Sequence, residues 1–352
     1  MEMLAAIAGT IIDQFQKPTL AFLIGGMLIA AMGSKLEIPQ PVYKFIVTLL
    51  LLKVGLGAGI SVRNSDPSEL FLPALLAALL GIAIVLIGKV TLVRLKGVSQ
   101  MDGMATAGLF GAVSASTLAA GMAVLDDEGI GYEGFIGALY PFMDVAALVT
   151  AIVLAKLSAQ RAAARSVSGG VATMGGGGTG GNDAFEPGLV KNILGDTVKS
   201  PAISALLLGL LIGLFAEPES VYQSFYEPLF RGLLSVLMLV MGIEAWQRLS
   251  ELKGVAHAYI AYGLLAPLVH GALGLGAGLI AHHLAGFSGG GVVLLAVMAA
   301  SSSDISGPPT MRGALPEANP SSYVGTSTGL GTPVAILSIP LWMAIVDQLI
   351  GL

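Results

Sequence analysis

The sequence has no cysteine among its 352 residues. Disulfides, thiolate metal sites and cysteine nucleophiles are therefore excluded. Charge is also scarce, since Asp, Glu, Lys and Arg make up 11% of the chain, against roughly 25% in a soluble domain. The net charge of −5 argues against nucleic-acid binding, which depends on basic surfaces. So few charges cannot solvate the surface of a soluble protein of this size.

The chain is rich in apolar residues instead. Hydrophobic residues make up 55% of the chain, and apolar stretches of about 20 residues, the length that crosses a bilayer, recur along it. The pattern predicts an all-α polytopic membrane protein. Ten transmembrane helices are predicted, over residues 18–33, 41–62, 71–95, 102–125, 134–158, 200–216, 226–248, 254–284, 289–312 and 323–350.

A Gly-rich segment separates the first five predicted helices from the last five. RSVSGGVATMGGGGTGGNDAFEPG (165–188) is nearly uncharged and lacks hydrophobic periodicity, which predicts a flexible linker. The predicted domains are therefore a first five-helix repeat over residues 1–164, this linker, and a second repeat over residues 189–352.

Loop charges predict the orientation in the membrane. Eleven basic residues fall near the connections on one side, whereas the loops of the other side hold only Lys17 and Arg63 together with acidic runs at 126–128 and 217–219. The positive-inside rule places the eleven in the cytoplasm. Both termini are then outside and the linker inside. The eleven are Lys35, Arg94, Lys96, Lys156, Arg161, Arg165, Lys191, Lys199, Arg248, Lys253 and Arg312.

The two halves resemble each other in the order of their Pro and Gly residues. KPTLAFLIGGMLIA (17–30) aligns with SPAISALLLGLLIG (200–213), and the other four helix pairs align in the same order. Because five is odd, the second repeat is inverted relative to the first. Inverted repeats build secondary transporters whose site lies near the bilayer midplane. The matched positions are Pro18 with Pro201, Gly26 with Gly209, Pro41 with Pro228, Lys44 with Arg231, Gly55 with Gly242, Pro73 with Pro267, Ser114 with Ser306, and Pro141 with Pro333.

The fourth and ninth predicted helices are interrupted at equivalent places. GAVSAST (111–117) and ASSSDISGPPT (300–310) are small, hydroxylated and poor in helix formers. Irregular backbone survives in a membrane only where it is buried or lines a cavity. Ser114 or Ser116 could cap one restarting half-helix, and Ser306 or Gly307 the other. The two amino ends predict an anion site, formed by Gly111, Ala112, Ser114, Ala115, Ser116, Thr117, Ser306 and Gly307.

Two intramembrane carboxylates predict a cation beside that anion. Asp304 lies in the second break and Asp144 in the middle of the fifth predicted helix. Oxygen ligands suit a hard cation such as Na⁺. The predicted ligands are Asp144, Ser301, Ser302, Ser303, Asp304 and Thr332. The alternatives are that Asp304 only caps a helix and that Asp144 is structural. Lys53 is interpreted as a residue whose stem snorkels or that forms a static ion pair, with a partnership to an intramembrane carboxylate as the alternative. His270 is interpreted as a satisfied packing residue, with a proton relay as the alternative.

Four stretches resemble the cyanobacterial sodium-dependent bicarbonate transporters of the SbtA type. They are TAGLFGAVSASTLAA, ALYPFMD, ESVYQSFYEPLFRGLLSVLMLVMG and LAVMAASSSDISGPPTMR. The resemblance implies a Na⁺/bicarbonate symporter of the plasma membrane. It implies a core domain (helices three to five and eight to ten) that moves against a gate domain (helices one, two, six and seven). It also implies a homotrimer and a cytoplasmic PII-like regulatory partner of the SbtB type.

Two other functions remain open at this stage. The same fold could carry another small monoanion with sodium, or the paired aspartates could exchange a cation for protons. An enzyme is not expected, because the sequence shows no nucleotide-binding loop, metal constellation or Ser–His–Asp arrangement. No cofactor is predicted, and sodium would be a co-transported ion.

The topology can be tested with reporter fusions. A reporter inserted at Gly178, in the linker, should be active on the cytoplasmic side, because the basic loops flank it. A fusion in the acidic 126–128 loop serves as the control and should report the opposite side. An external signal at Gly178 would contradict the orientation.

Overall fold

The computed structural model describes residues 18–64, 67–168, 195, 199, 201–251 and 257–352. Within these residues the chain forms helices and connecting turns, with no strand. The helices are α1 (Pro18–Ala31), α2 (Gln40–Asn64), α3 (Pro67–Val90), α4 (Gln100–Gly111), α5 (Ala115–Glu128), α6 (Leu139–Ser168), α7 (Pro201–Phe215), α8 (Glu227–Glu251), α9 (His257–Ala285), α10 (Gly289–Ala300), α11 (Gly307–Ala314), α12 (Pro320–Val324), α13 (Thr332–Leu337) and α14 (Ile339–Ile350).

Short irregular helices join several of these elements. Leu92–Arg94 and Gly134–Ala138 form 3₁₀ turns, while Tyr222–Tyr226 and Gly325–Gly331 form π-helical turns. The last predicted helix, 323–350, lies within one candidate span, Pro320–Ile350, whose α-helical pattern changes at the π turn and at Ser338.

Seven segments of the described residues are long and apolar enough to cross a membrane. Three shorter apolar helices, Pro18–Ala31, Ile203–Phe215 and Gly289–Ala300, coincide with the first, sixth and ninth predicted spans. The prediction of an all-helical membrane protein is confirmed. Helix α6 continues to Ser168, so the first residues of the predicted linker are helical; residues 169–188 lie outside the described part.

Two helix pairs pack through glycine. Helix α1 lies against α8 and α2 lies against α7. A Cβ atom added to Gly26 would lie 3.2 Å from the Cα of Gly242, and one added to Gly55 would lie 3.1 Å from the Cα of Gly209. Glycine brings helix backbones close enough for van der Waals contact, which is the main attraction between helices in lipid.

The remaining helices enclose the interrupted ones. Helices α3 and α6 pack beside α4, and α9 and α14 pack beside α10. The α4–α5 segment, Gln100–Glu128, is the most deeply buried of the seven candidate spans. Every residue of α10 from Gly290 to Ala300 is buried. The interruptions therefore lie inside protein, as irregular backbone in a membrane requires.

The glycine contacts can be tested by one matched pair of substitutions. Gly26→Leu should lower thermal stability in detergent, because a side chain there meets the α8 backbone; such overpacking costs about 1–3 kcal/mol. At Gly25 no atom lies within 4 Å of the place that a Cβ would occupy, so Gly25→Leu is the control. Equal melting temperatures for the two variants would contradict the close packing.

Candidate functional site

The two predicted interruptions are present in the structure. Helix α4 ends at Gly111 and α5 begins at Ala115. Helix α10 ends at Ala300 and α11 begins at Gly307. The hydroxyl-bearing residues of both interruptions are almost fully buried. We call the two interruptions the first break (112–114) and the second break (301–306).

The half-helix α5 restarts as the sequence predicts. Ser114 is its N-cap, and its Oγ accepts a hydrogen bond of 3.0 Å from the amide of Thr117. Of the two candidate caps, Ser114 is therefore the one used. The amides of Ala115 and Ser116, the first two of the helix, have no carbonyl within the helix to bond.

The half-helix α11 restarts differently from the prediction. Ser306 stands at the N-cap position, but its side chain does not cap the helix. Instead the Oγ of Ser303 accepts a hydrogen bond of 2.8 Å from the amide of Gly307. The hydroxyl of Ser306 is directed to Asp144, which explains why the expected cap by Ser306 or Gly307 is wrong.

The two breaks bond to each other. The amide of Ser114 donates to Ser301 Oγ at 3.0 Å, and the amide of Ser303 donates to the carbonyl of Leu109 at 2.7 Å. Ser301 Oγ in turn donates to the carbonyl of Met298 at 2.7 Å. Each break thus supplies hydrogen-bond partners for backbone groups that the other leaves open.

Asp144 ties both breaks to α6. Its Oδ1 accepts a hydrogen bond of 3.1 Å from the amide of Val113, and its Oδ2 accepts one of 3.1 Å from Ser306 Oγ. Ser306 Oγ also lies 2.9 Å from Ser303 Oγ and 3.3 Å from the hydroxyl of Tyr140. Sequence reasoning missed Ser306 as a partner of a carboxylate and missed Tyr140 altogether.

Asp304 faces the amino end of α5. One carboxylate oxygen, Oδ2, accepts a hydrogen bond from Ser116 Oγ. The other, Oδ1, is buried and has no hydrogen-bond partner among the described residues. The nearby hydroxyl of Thr117 is likewise buried without a partner in the described part of the chain. Because Ser303 caps α11, the alternative that Asp304 merely caps that helix has no support.

Ser302 and Thr332 form a separate group. Their hydroxyl oxygens lie 3.3 Å apart. Ser302 Oγ donates to the carbonyl of Ser327 at 3.1 Å, and Thr332 Oγ1 donates to the carbonyl of Ser302 at 3.1 Å. Ser327 lies in the π turn Gly325–Gly331 and donates to the carbonyl of Ser303. Ser302 is hence bonded to the last span, which contains Thr332 and Ser327. The hydrogen bonds of Ser302 and Thr332 do not involve either aspartate.

A narrow cleft borders Ser116. It is lined by Ser116, Ala115 and Ile305 on one side and by apolar residues of α2 and α8 on the other, namely Val47, Leu50, Leu51, Val54 and Leu237. Its cavity volume of about 10 Å³ suits about one water molecule. The amino end of α5 therefore lies at the boundary with the α2 and α8 helices.

Lys53 and His270 lie away from the breaks' hydrogen bonds. The Nζ of Lys53 sits 4.1 Å from the ring centroid of Phe230 on α8, a cation–π contact. His270 is buried, and its ring packs edge-on against Phe110 at 6.2 Å. Lys53 is buried against an aromatic ring, whereas the sequence predicted a snorkelling stem or an ion pair. The ring of His270 packs as expected, but its Nδ1 is buried without a hydrogen-bond partner among the described residues.

Comparison with known families adds the functional assignment. Residues 18–347 match the Na⁺-dependent bicarbonate transporter superfamily. The chain belongs to this superfamily. A search of curated proteins gives no match. Together with the apolar helices, family membership makes the chain a multi-pass membrane protein of a bicarbonate transporter family, as the resemblance of its motifs implied.

The unpaired oxygen of Asp304 can be tested by stability. A buried polar group without a partner costs about 1–3 kcal/mol, and more when it is charged. Asp304→Asn should therefore raise the melting temperature in sodium-free buffer and remove the stabilisation that sodium gives the wild type. Asp347→Asn, at an exposed position on α14, is the control. An unchanged sodium-dependent shift in Asp304→Asn would contradict a cation at this carboxylate.

Proposed function

We propose that this superfamily member is a sodium-coupled bicarbonate symporter that works by alternating access. The observation that carries the proposal is the meeting of Asp304 with Ser116. A carboxylate with one unpaired buried oxygen lies against the amino end of a half-helix. An unpaired buried carboxylate oxygen favours a bound cation. The amino end of a helix favours a bound anion.

Sodium is the cation that the ligand chemistry favours. Buried charges are tolerated when they are paired or coordinate a metal ion, and oxygen ligands suit hard cations. Asp304 Oδ1, within the second break, offers the open position. Within the described residues no three His, Asp or Glu side chains gather to hold a metal, which agrees with a monovalent ion held by few charges.

Bicarbonate would occupy the amino end of α5. The helix has 14 residues, so its dipole places about half a positive charge at that end. The amides of Ala115 and Ser116 and the unpartnered hydroxyl of Thr117 supply donors. These groups belong to the predicted anion set, whereas Ser306 and Gly307 are engaged with Asp144 and Ser303.

Coupling follows from charge compensation. Sodium alone balances Asp304 and attracts the anion, while bicarbonate alone would face the carboxylate across a few ångströms at low dielectric. Binding of the anion is therefore stronger after sodium has bound. With Asp304 counted, bicarbonate alone gives the site two negative charges, whereas sodium and bicarbonate together give it one, which the amino end of α5 partly offsets. The anion therefore crosses an apolar boundary at lower cost with sodium than without it.

The glycine contacts support the inverted repeat. The repeat matches Gly26 with Gly209 and Gly242 with Gly55. Exchanging the repeats turns the contact between Gly26 and Gly242 into one between Gly209 and Gly55, and that contact is also present. Two equivalent helix pairs, α1 with α8 and α2 with α7, are expected of a two-fold arrangement of ten spans in a 5+5 repeat.

The same pairs correspond to the gate domain that the resemblance implies. The remaining helices, which hold both breaks, correspond to the core domain. The cleft beside Ser116 lies between the two groups, so a movement of core against gate would open it. The plasma-membrane location, the external termini, the homotrimer and the cytoplasmic PII-like partner are carried forward from the sequence and the resemblance as parts of this proposal.

Transport can be tested in proteoliposomes. Asp304→Ala should reduce sodium-dependent uptake of labelled bicarbonate to the level of empty vesicles, because the cation loses its charged ligand. Asp347→Asn is again the control and should transport normally. Wild-type uptake by Asp304→Ala would overturn the site, and full competition by unrelated monoanions would change the substrate. Sodium flux that releases protons without bicarbonate would favour a cation/proton antiporter.

The movement of core against gate can be tested with crosslinks, since the chain has no cysteine of its own. Arg231 on α8 and Asp127 at the end of α5 form an ion pair of 2.5 Å that joins the two groups. A reversible thiol crosslinker should stop uptake in the double variant Asp127→Cys, Arg231→Cys, and a reductant should restore it.

The matched control joins residues within the gate group. Arg63 and Glu219 form an ion pair between the end of α2 and the turn after α7. Crosslinking Arg63→Cys to Glu219→Cys should leave uptake intact. Transport that survives the first crosslink would contradict relative movement of the two groups.

A further inference from the structure

A second cavity lies on the outer side of the helices that hold the breaks. Its volume is about 540 Å³, and it is bounded by the end of α3, the 3₁₀ turn Leu92–Arg94 and α9. The lining is predominantly apolar, and two of its α9 residues, Leu265 and Val269, are 62% and 54% exposed. In a membrane protein such a surface faces lipid rather than water.

A basic residue lines the cavity. Arg94 lines it, and Lys89 and Lys96 flank it in the sequence. Within the described residues Arg94 forms no ion pair. The loop charges place this end of α3 on the cytoplasmic side. Basic pockets between transmembrane helices on that side bind the head groups of anionic lipids.

Tyr262 of α9 also lines the cavity. Its hydroxyl is buried and has almost no surface open to the cavity, so the contribution of this residue to the wall is apolar.

The cavity wall also reaches the first break. The rings of Tyr262 and Phe110 pack edge-on with centroids 5.0 Å apart, and His270 packs against both. Phe110 is next to Gly111, the last residue of α4 before the break. A molecule that fills the cavity would therefore restrict the aromatic residues that support the break.

We propose that this cavity binds one anionic phospholipid, with its phosphate at Arg94 and an acyl chain between α3 and α9. The bound lipid would hold Phe110 in place and so favour the arrangement of the breaks described above. The consequence for uptake rests on the proposed function, whereas the binding itself does not.

Native mass spectrometry of the full chain tests the binding. Wild type should retain phosphatidylglycerol in preference to phosphatidylcholine. Arg94→Gln should weaken the retention roughly fivefold, the effect of one basic residue at a lipid surface. Val269→Trp should fill the cavity and displace the lipid without a change of charge. The controls are Lys35→Gln and Leu264→Trp, exposed positions that do not line the cavity.

Each outcome decides the proposal. Loss of phosphatidylglycerol in both test variants but neither control supports it. Equal retention of the two lipids by wild type, or unchanged binding in both test variants, would mean boundary lipid only and overturn it. A change in the number of associated chains in Val269→Trp, with lipid retained, would make the surface a contact between copies and also overturn it.

A second readout separates this proposal from the proposed function. Phosphatidylglycerol added to phosphatidylcholine vesicles should raise bicarbonate uptake by wild type and not by Arg94→Gln. If neither the wild type nor any variant transports bicarbonate, but the expected pattern of lipid retention is found, the lipid site is supported and the proposed function fails.

Discussion

A backbone amide or carbonyl without a hydrogen-bond partner costs free energy in hydrocarbon. The helices of this chain are interrupted at two breaks, and the rest of the structure depends on how the backbone groups there find partners. The breaks at 112–114 and 301–306 cannot use their own helices. They use each other: Ser301 accepts from the amide of Ser114, and Leu109 accepts from the amide of Ser303. This exchange requires the breaks to cross at one depth. The surrounding helices then bury most of the crossing, which explains why the α4–α5 segment and α10 are so inaccessible.

The glycine-packed pairs meet a different requirement. Around the breaks, hydrogen bonds between side chains and backbone determine the geometry, whereas α1, α2, α7 and α8 are held by close backbone contact at Gly26, Gly55, Gly209 and Gly242. The glycine contacts are rigid, because one helix cannot slide along another at so close a backbone separation without a clash. The side of the cleft formed by α2 and α8 is apolar. A rigid apolar wall beside a polar site suits relative movement of whole groups better than rearrangement of single residues.

The sequence predicts the breaks well and the direction of their side chains poorly. Position and burial follow from composition, because a cluster of small hydroxylated residues within an apolar run disfavours a continuous helix and needs partners inside the protein. Ser114 was a predictable cap, since its Oγ needs only the local amide of Thr117. The roles of Ser302 and Ser306 were not predictable, because their partners lie far away in the chain: Ser327 for the first and Asp144 for the second. The π turn Gly325–Gly331 was also unforeseen, although the run GTSTGLG carries the same small and hydroxylated character as the breaks.

The two aspartates, grouped together by sequence reasoning, have different surroundings. Asp144 accepts hydrogen bonds on both oxygens, from the Val113 amide and from Ser306, and these bonds connect the two breaks to α6. A cation there would compete with partners that already satisfy the carboxylate. Asp304 has one oxygen on Ser116 and one without a partner in the described residues. We infer that Asp304 is the charge that sodium compensates, while Asp144 positions the breaks around it. Since Ser116 bonds Asp304 and also lies in the first turn of α5, a cation at Asp304 acts directly on the group that would receive the anion.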